Sequence, residues 1–230
     1  YKAKEVSIML KKKLNGLMFS FLSIVAFSQD ADKIIETHIQ KTGGEVAWNS
    51  LNSIVLKGEA IINIGDSYPM VVYHQRPYNK KVVFIMNGKE ILNEGYDRKN
   101  GWTYSEIAKK NVVLPNYKPD AFDSDVLKHK QKGFSVKYLG IEKYDQKNSC
   151  YKVELTKNTN STVYCFDKNS YEIVMEKNNE ETLYYSNFKH FNGLSFATKI
   201  IGKPTEGGEY IIKFNDIKIN PAIDKKHFKF

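Results

Sequence analysis

The residues able to do chemistry are scattered along this chain rather than grouped. Its five histidines, His38, His74, His129, His190 and His227, never fall at metal-ligand spacing. No nucleophile elbow, zinc-protease helix, dithiol or phosphate-loop pattern occurs. The carboxylates sit in turns or alternate with lysines, as they do on solvated strand faces. Nothing here assembles a catalytic group, so the expectation is a protein that is not an enzyme and holds no cofactor or metal. His74 shares a strand side with Val72 and Arg76 and reads as an interior or rim histidine. Cys150 and Cys165 flank a hairpin turning near residues 158–160. That turn sets Cys150 opposite Asp167 or Lys168, beyond bridging distance of Cys165, so two unpaired buried thiols are expected.

Two residues stand apart from this background. Arg76 ends a strand that carries Met70 and Val72 on the same side, directly before Pro77. It reads either as a strand-end arginine reaching water or as a polar anchor at the mouth of an apolar cavity, fixing a ligand or a lid. Trp102 begins a strand after Gly101 and reads either as a core or rim ring or as a ligand-lining wall.

The elements that must position these residues are mostly strands. Residues 53–65 place Ile54, Leu56, Ala60 and Ile62 on one side and Lys57, Glu59 and Asn63 on the other. Such alternation marks a sheet with one covered and one wet face. Residues 80–105 read as three strands at the centre of a meander, joined by an Asn87-Gly88 hairpin turn and by a turn from Asp97 to Gly101. A second run of strands follows residue 134, with turn signals every ten to fifteen residues or so, as sandwiches and barrels require. Ahead of the strands, Ala31, Ile34, Ile35 and Ile39 give one apolar helical stripe, which Gly43-Gly44 ends; a short second helix carries Val46, Trp48 and Leu51. Between the two runs, Pro115 and Pro119 interrupt any strand, and residues 120–132 are expected to form a helix that serves as a movable cover.

Composition bounds the class. The 230 residues carry 35 Lys+Arg against 26 Asp+Glu, with 15 Tyr and 13 Phe, a bias toward strands. From Met9 the chain reads as a bacterial export signal: Lys11, Lys12 and Lys13, an apolar run from Leu14 to Phe27, and small residues before a cleavage site at Gln29. Taking away residues 1–28, with five Lys and one Glu, leaves 30 basic and 25 acidic residues, a net of +5. The lysines alternate with apolar residues instead of clustering among stacking aromatics, so nucleic acid is not an expected partner. Gln29 is not the cysteine that would carry a lipid anchor. The expectation is an exported, soluble periplasmic protein, with residues 29–230 forming one domain that is a monomer.

These features together resemble a known family. The N-terminal helix, Gly43-Gly44, Trp48 and Leu51, then Gln75-Arg76-Pro77, Tyr96-Asp97 to Gly101-Trp102, and the closing Asn220-Pro221-Ala222-Ile223-Asp224 are similar in order and spacing to the outer-membrane lipoprotein-sorting proteins of the LolA-like superfamily, in their Bacteroidetes-type form. The resemblance covers residues 30–230 and implies a mainly β fold: a curved antiparallel sheet of about 11 strands, an unclosed barrel covered by a few helices. It implies a carrier that binds lipid acyl chains or lipidated proteins on the inner face and meets membrane-associated donor and acceptor proteins transiently. A lipid-sensing or partner-binding module of the same fold is the alternative. Arg76 matches the arginine that holds the lid in that family. Leu56, Ile62, Val72, Phe84, Met86, Trp102 and Leu139 are the expected wall of the cavity.

Overall fold

The computed structural model describes residues 30–63, 65–119 and 121–230; the expected leader lies outside them. Helix α1 spans residues 30–41 and α2 spans Glu45–Ser50. Strands β1 (Ser53–Asn63), β2 (Asp66–Gln75), β3 (Asn79–Met86), β4 (Lys89–Tyr96), β5 (Gly101–Ser105) and β6 (Lys110–Leu114) form the first meander. After the short helix α3 (His129–Lys132) come β7 (Ser135–Lys143), β8 (Ser149–Lys157), β9 (Asn160–Asp167), β10 (Ile173–Lys177), β11 (Glu181–Phe191), β12 (Leu194–Pro204) and β13 (Tyr210–Ile219), and a 3₁₀ turn, Lys225–Phe228.

The 13 strands make one antiparallel sheet in the order β6-β5-β4-β3-β2-β1-β13-β12-β11-β10-β9-β8-β7, with β6 and β7 at its open edges. Two meanders are thus joined where the first strand pairs the last, Leu56 facing Ile217. This corrects the reading of residues 80–105 as the centre. They lie toward the β6 edge, because β1 finds its second neighbour at the far end of the chain. The sheet also gains a strand, β6, from the stretch expected to be irregular: Pro115 stops it only after Leu114.

Local chemistry explains the turns. Asn87 and Gly88 have φ of 52° and 77°, the left-handed pair that a two-residue hairpin needs. Asp97 closes the β4–β5 turn: its Oδ1 accepts from the amides of Lys99 and Asn100, and its Oδ2 accepts from the Trp102 indole at 2.8 Å.

Only a curled sheet fits the chain that links its edges. Residues 115–134 connect β6 to β7, the two extreme strands. Within that link, Asp123 contacts Arg76 after β2, while Val126 belongs to one core cluster with Val153 of β8. Strands β2 and β8 are seven places apart in the sheet, about 33 Å if it were flat. Three residues of chain reach about 10 Å. The sheet therefore bends round toward the link, with α1 filling part of the gap. Bulges at Lys57/Gly58, Val82/Val83 and Tyr138/Gly140 supply local twist.

The helices cover one face. Ala31, Ile34 and Ile35 of α1 pack on Val153, Leu155 and Phe166, all 8% exposed or less. The helix ends as the glycines imply, with the Gly44 amide donating to the Ile39 carbonyl. The expected helix over 120–132 is shorter than the sequence suggested. Residues 122–128 are mostly turn, and only His129–Lys132 is α-helical. Their apolar residues are spent on separate partners: Phe122 meets His74, whereas Val126 joins the α1 core.

The outer face carries a correction. Cys150 and Cys165 form a disulfide, with Cα atoms 5.4 Å apart. The expected register holds, since Cys150 pairs with Asp167 and Lys152 with Cys165. What the flat-sheet estimate missed is that twist closes one diagonal of a hairpin, into the range a disulfide spans. Replacing both cysteines by alanine is expected to lower stability by about 2 kcal/mol. That is somewhat less than the ~3 kcal/mol from loop entropy, because the hairpin register already restrains the loop. Urea unfolding of the double variant checks it; an unchanged midpoint would show that the bridge adds nothing.

Candidate functional site

The edge-to-edge link crosses the helix-covered face, and beneath it lies a cavity of about 540 Å³. Its apolar wall comes from α2 (Trp48), β1 (Leu56), the link (Leu127) and the strands of the second meander, including Phe188, Phe196 and Ile200. Trp48 is oriented by its indole N–H, which donates to the Thr42 hydroxyl at 3.1 Å, and its ring meets the Phe196 ring edge-on.

Arg76 binds the cover together. Its Nε donates to the Leu51 carbonyl at 2.6 Å, and one terminal nitrogen donates to the Trp48 carbonyl at 3.2 Å. These are carbonyls at the C-terminal end of α2, where a helix leaves acceptors unmet and favours a cation. The other terminal nitrogen lies 2.7 and 2.8 Å from the Asp123 carboxylate oxygens, and the guanidinium stands over the Phe122 ring. The amide of Phe122 donates to the Pro77 carbonyl, across a cis Arg76–Pro77 peptide. One side chain thus ties α2 and the link to the end of β2. Further along, Lys128 bonds Asn49, and His129 and Lys130 reach Asp32 of α1.

The cavity lining also carries polar groups. Glu176 of β10 accepts from the Tyr185 hydroxyl at 2.9 Å and lies beside Tyr164, its register partner on β9. Burial pushes the Glu176 carboxyl above its usual range and raises both tyrosines. His38 lines the cavity from α1; its Nδ1–H donates to the Tyr171 carbonyl at 2.8 Å, and burial holds its pKa down to about 4. Ser195 donates to Glu172 at 2.5 Å, and Lys132 donates to Asp125 at 2.7 Å.

The expected wall residues are spread more widely than the cavity. Leu56 lines it. Val72 pairs with Leu56 and, with Phe84, packs on Ala60, Met70 and Val82, extending the apolar surface on the same face. Ile62 and Met86 lie near the far ends of their strands, 47% and 42% exposed. Leu139 sits unpaired in the β7 bulge, 41% exposed. Trp102 faces the other way, beside Gly95, and packs near the C-terminal Phe230. A Cβ on Gly95 would lie 2.4 Å from the Phe230 ring, so the tail occupies that outer surface. Sequence reading missed Trp48, Phe188, Phe196 and Ile200. Their alternation was visible, but nothing local said which face the link would cover.

Among the described residues, no helix is long and apolar enough to cross a membrane. No family model matches the chain, and no curated protein matches it. Solved structures do. A putative outer membrane lipoprotein-sorting protein domain from Vibrio parahaemolyticus superposes with a TM-score of 0.58 at 13% identity, over 87% of this chain and 97% of that one. A DUF1329 family protein from Desulfovibrio piger gives 0.61 at 11%, over 86% and 97%. A LolA superfamily protein from Nitrosomonas europaea gives 0.55 at 15%, over 87% and 97%. At such identities the likeness speaks for the fold alone. The chain has a LolA-like fold: a large, unclosed antiparallel sheet with few helices.

Proposed function

We propose that this protein is a periplasmic carrier that holds the acyl chains of a lipid or lipid-modified protein in the covered cavity and moves them toward the outer membrane. The observation that supports this reading most is the cavity of about 540 Å³, walled by aromatic and aliphatic side chains under a cover that one arginine clasps. An acyl chain leaving a bilayer loses about 0.8 kcal/mol for each methylene exposed to water, and an apolar cavity offsets that loss without any bond chemistry. In this reading the leader directs export, residues 29–230 act as a monomeric domain, and the protein is not an enzyme. Leu56 and the adjoining Val72 and Phe84 form the first-meander wall, and membrane-associated proteins donate and accept the cargo.

The test is displacement of a fluorescent acyl probe from the protein beginning at Gln29, with native mass spectrometry of material from its host. One probe bound per chain, displaced by phospholipid, is expected, together with co-purified lipid. Absence of both sinks the proposal. Leu56→Lys, which puts a charge into the wall, should weaken probe binding about tenfold or more.

A further inference from the structure

The cavity is not uniformly apolar, and its polar lining has a chemical bias. Its charged lining residues are Asp123, Asp125, Glu172, Glu176 and Lys132, four acidic against one basic, in a chain that is basic overall. Lys132, the basic one, is committed: it donates to Asp125 and to the Asp123 carbonyl. Asp123 is held by Arg76, and Glu172 accepts from Ser195.

Glu176 differs from the other acids. Among the described residues it forms no ion pair; beside it stand the hydroxyls of Tyr185 and Tyr164 and the carboxylates of Asp125 and Glu181. The Tyr185 hydroxyl spends its proton on Glu176, which leaves oxygen lone pairs there. A ligand whose tail lies against Phe188, Phe196 and Ile200 meets the acceptor oxygens of Glu176 and Tyr185 in the same cavity.

We infer that the cavity selects amphiphiles whose head is a hydrogen-bond-donating cation, a primary ammonium, bound at Glu176, Tyr164 and Tyr185. This rests on the acyl-carrier reading and sharpens it. A fatty carboxylate would bring a fifth acidic group into a partly buried site, whereas an ammonium supplies a counter-charge to Glu176. Charge-assisted hydrogen bonds in such a setting discriminate by about ten- to a hundredfold.

The experiment displaces a neutral fluorescent acyl probe with dodecylamine, dodecanol and dodecanoate at pH 7, using the unmodified protein and Glu176→Gln. In the unmodified protein dodecylamine should bind about tenfold or more tighter than dodecanoate, with dodecanol between them. Glu176→Gln should shrink that preference to about threefold or less. Dodecanoate binding as tightly as dodecylamine overturns the inference, and the comparison does not depend on the variant folding. If dodecanol binds but the amine shows no preference, the head-group inference fails and the carrier reading stands. If none of the three displaces the probe, both fail. A further arm compares dihexanoylphosphatidylethanolamine with an S-alkylated cysteinyl dipeptide having a free amine. The one whose affinity drops in Glu176→Gln gives the source of the ammonium, and no drop in either counts against the inference.

Discussion

Arg76→Leu is expected to destabilise the protein by about 3 kcal/mol and to speed acyl-probe entry and exit about tenfold. Arg76 joins three segments at once: the end of β2, α2 and the link. Its guanidinium meets two α2 carbonyls, the Asp123 carboxylate and the Phe122 ring, with the side chain only 25% exposed. Leucine keeps the aliphatic packing but leaves the Leu51 carbonyl and the partly buried Asp123 carboxylate without the donor they have here, while the Trp48 carbonyl keeps only the Leu51 amide. Each such loss costs about 1–3 kcal/mol, moderated here by partial solvent access. For a domain of this size, 3 kcal/mol lowers the melting temperature by roughly 6–12 °C. Arg76→Lys should recover little, since a point ammonium cannot reach both α2 and the link as the planar fork does. Stopped-flow fluorescence reads the kinetic half of the prediction. A lowered melting temperature with unchanged probe rates would make Arg76 a structural tie with no part in access to the cavity.

Acid should weaken the fold in a window set by His38. This ring is 8% exposed, donates through Nδ1 to the Tyr171 carbonyl and sits edge-on to Phe166. Burial lowers its pKa from 6.5 to about 4. The folded state therefore refuses a proton that the unfolded chain accepts below about pH 6.5. Between pH 6.5 and 4 the unfolded state binds more protons, so stability falls as pH falls, at about 1.4 kcal/mol per unit and about 3 kcal/mol over the window. His38→Gln keeps a donor for Tyr171 and removes the titration. Its stability should not fall from pH 6.5 to 4.5, where the raised Glu176 carboxyl acts in the opposite direction, whereas the unmodified protein loses about 2 kcal/mol, as urea unfolding at the two pH values measures. Equal slopes in both proteins would place the proton uptake elsewhere. Below about pH 4 both should weaken together. There the carboxyls of Asp97 and Asp167, held low by hydrogen bonds that outweigh their burial, begin to protonate.

Much of the fold was legible because its determinants are local. Period-two alternation in residues 53–63 and 150–157 marks strands with one covered face, and Asn87-Gly88 marks a hairpin; the structure has all three. The stripe Ala31, Ile34, Ile35 predicts the buried side of α1, and those residues are buried. Strand β6 and the short α3 were not legible for the same reason. Residues 106–133 carry prolines and turn formers, and their conformation is set by distant partners rather than by their own periodicity.

The sequence by itself determined a protein of many antiparallel strands with an N-terminal helix. Those properties follow from side-chain alternation, turn chemistry and residue spacing, each readable within a dozen residues or so. Only the tertiary structure decided where the cavity lies. Pairing β1 with β13 made β6 and β7 the edges of the sheet, so the link between them had to cross one face. That crossing selected Trp48, Leu56, Phe196 and Ile200 as the wall and left Trp102 on the opposite side under Phe230. It also gave Arg76 its partners, 25, 28 and 47 residues away in the chain. A side chain's alternation says which neighbours share its face; only closure of the whole sheet says what that face encloses.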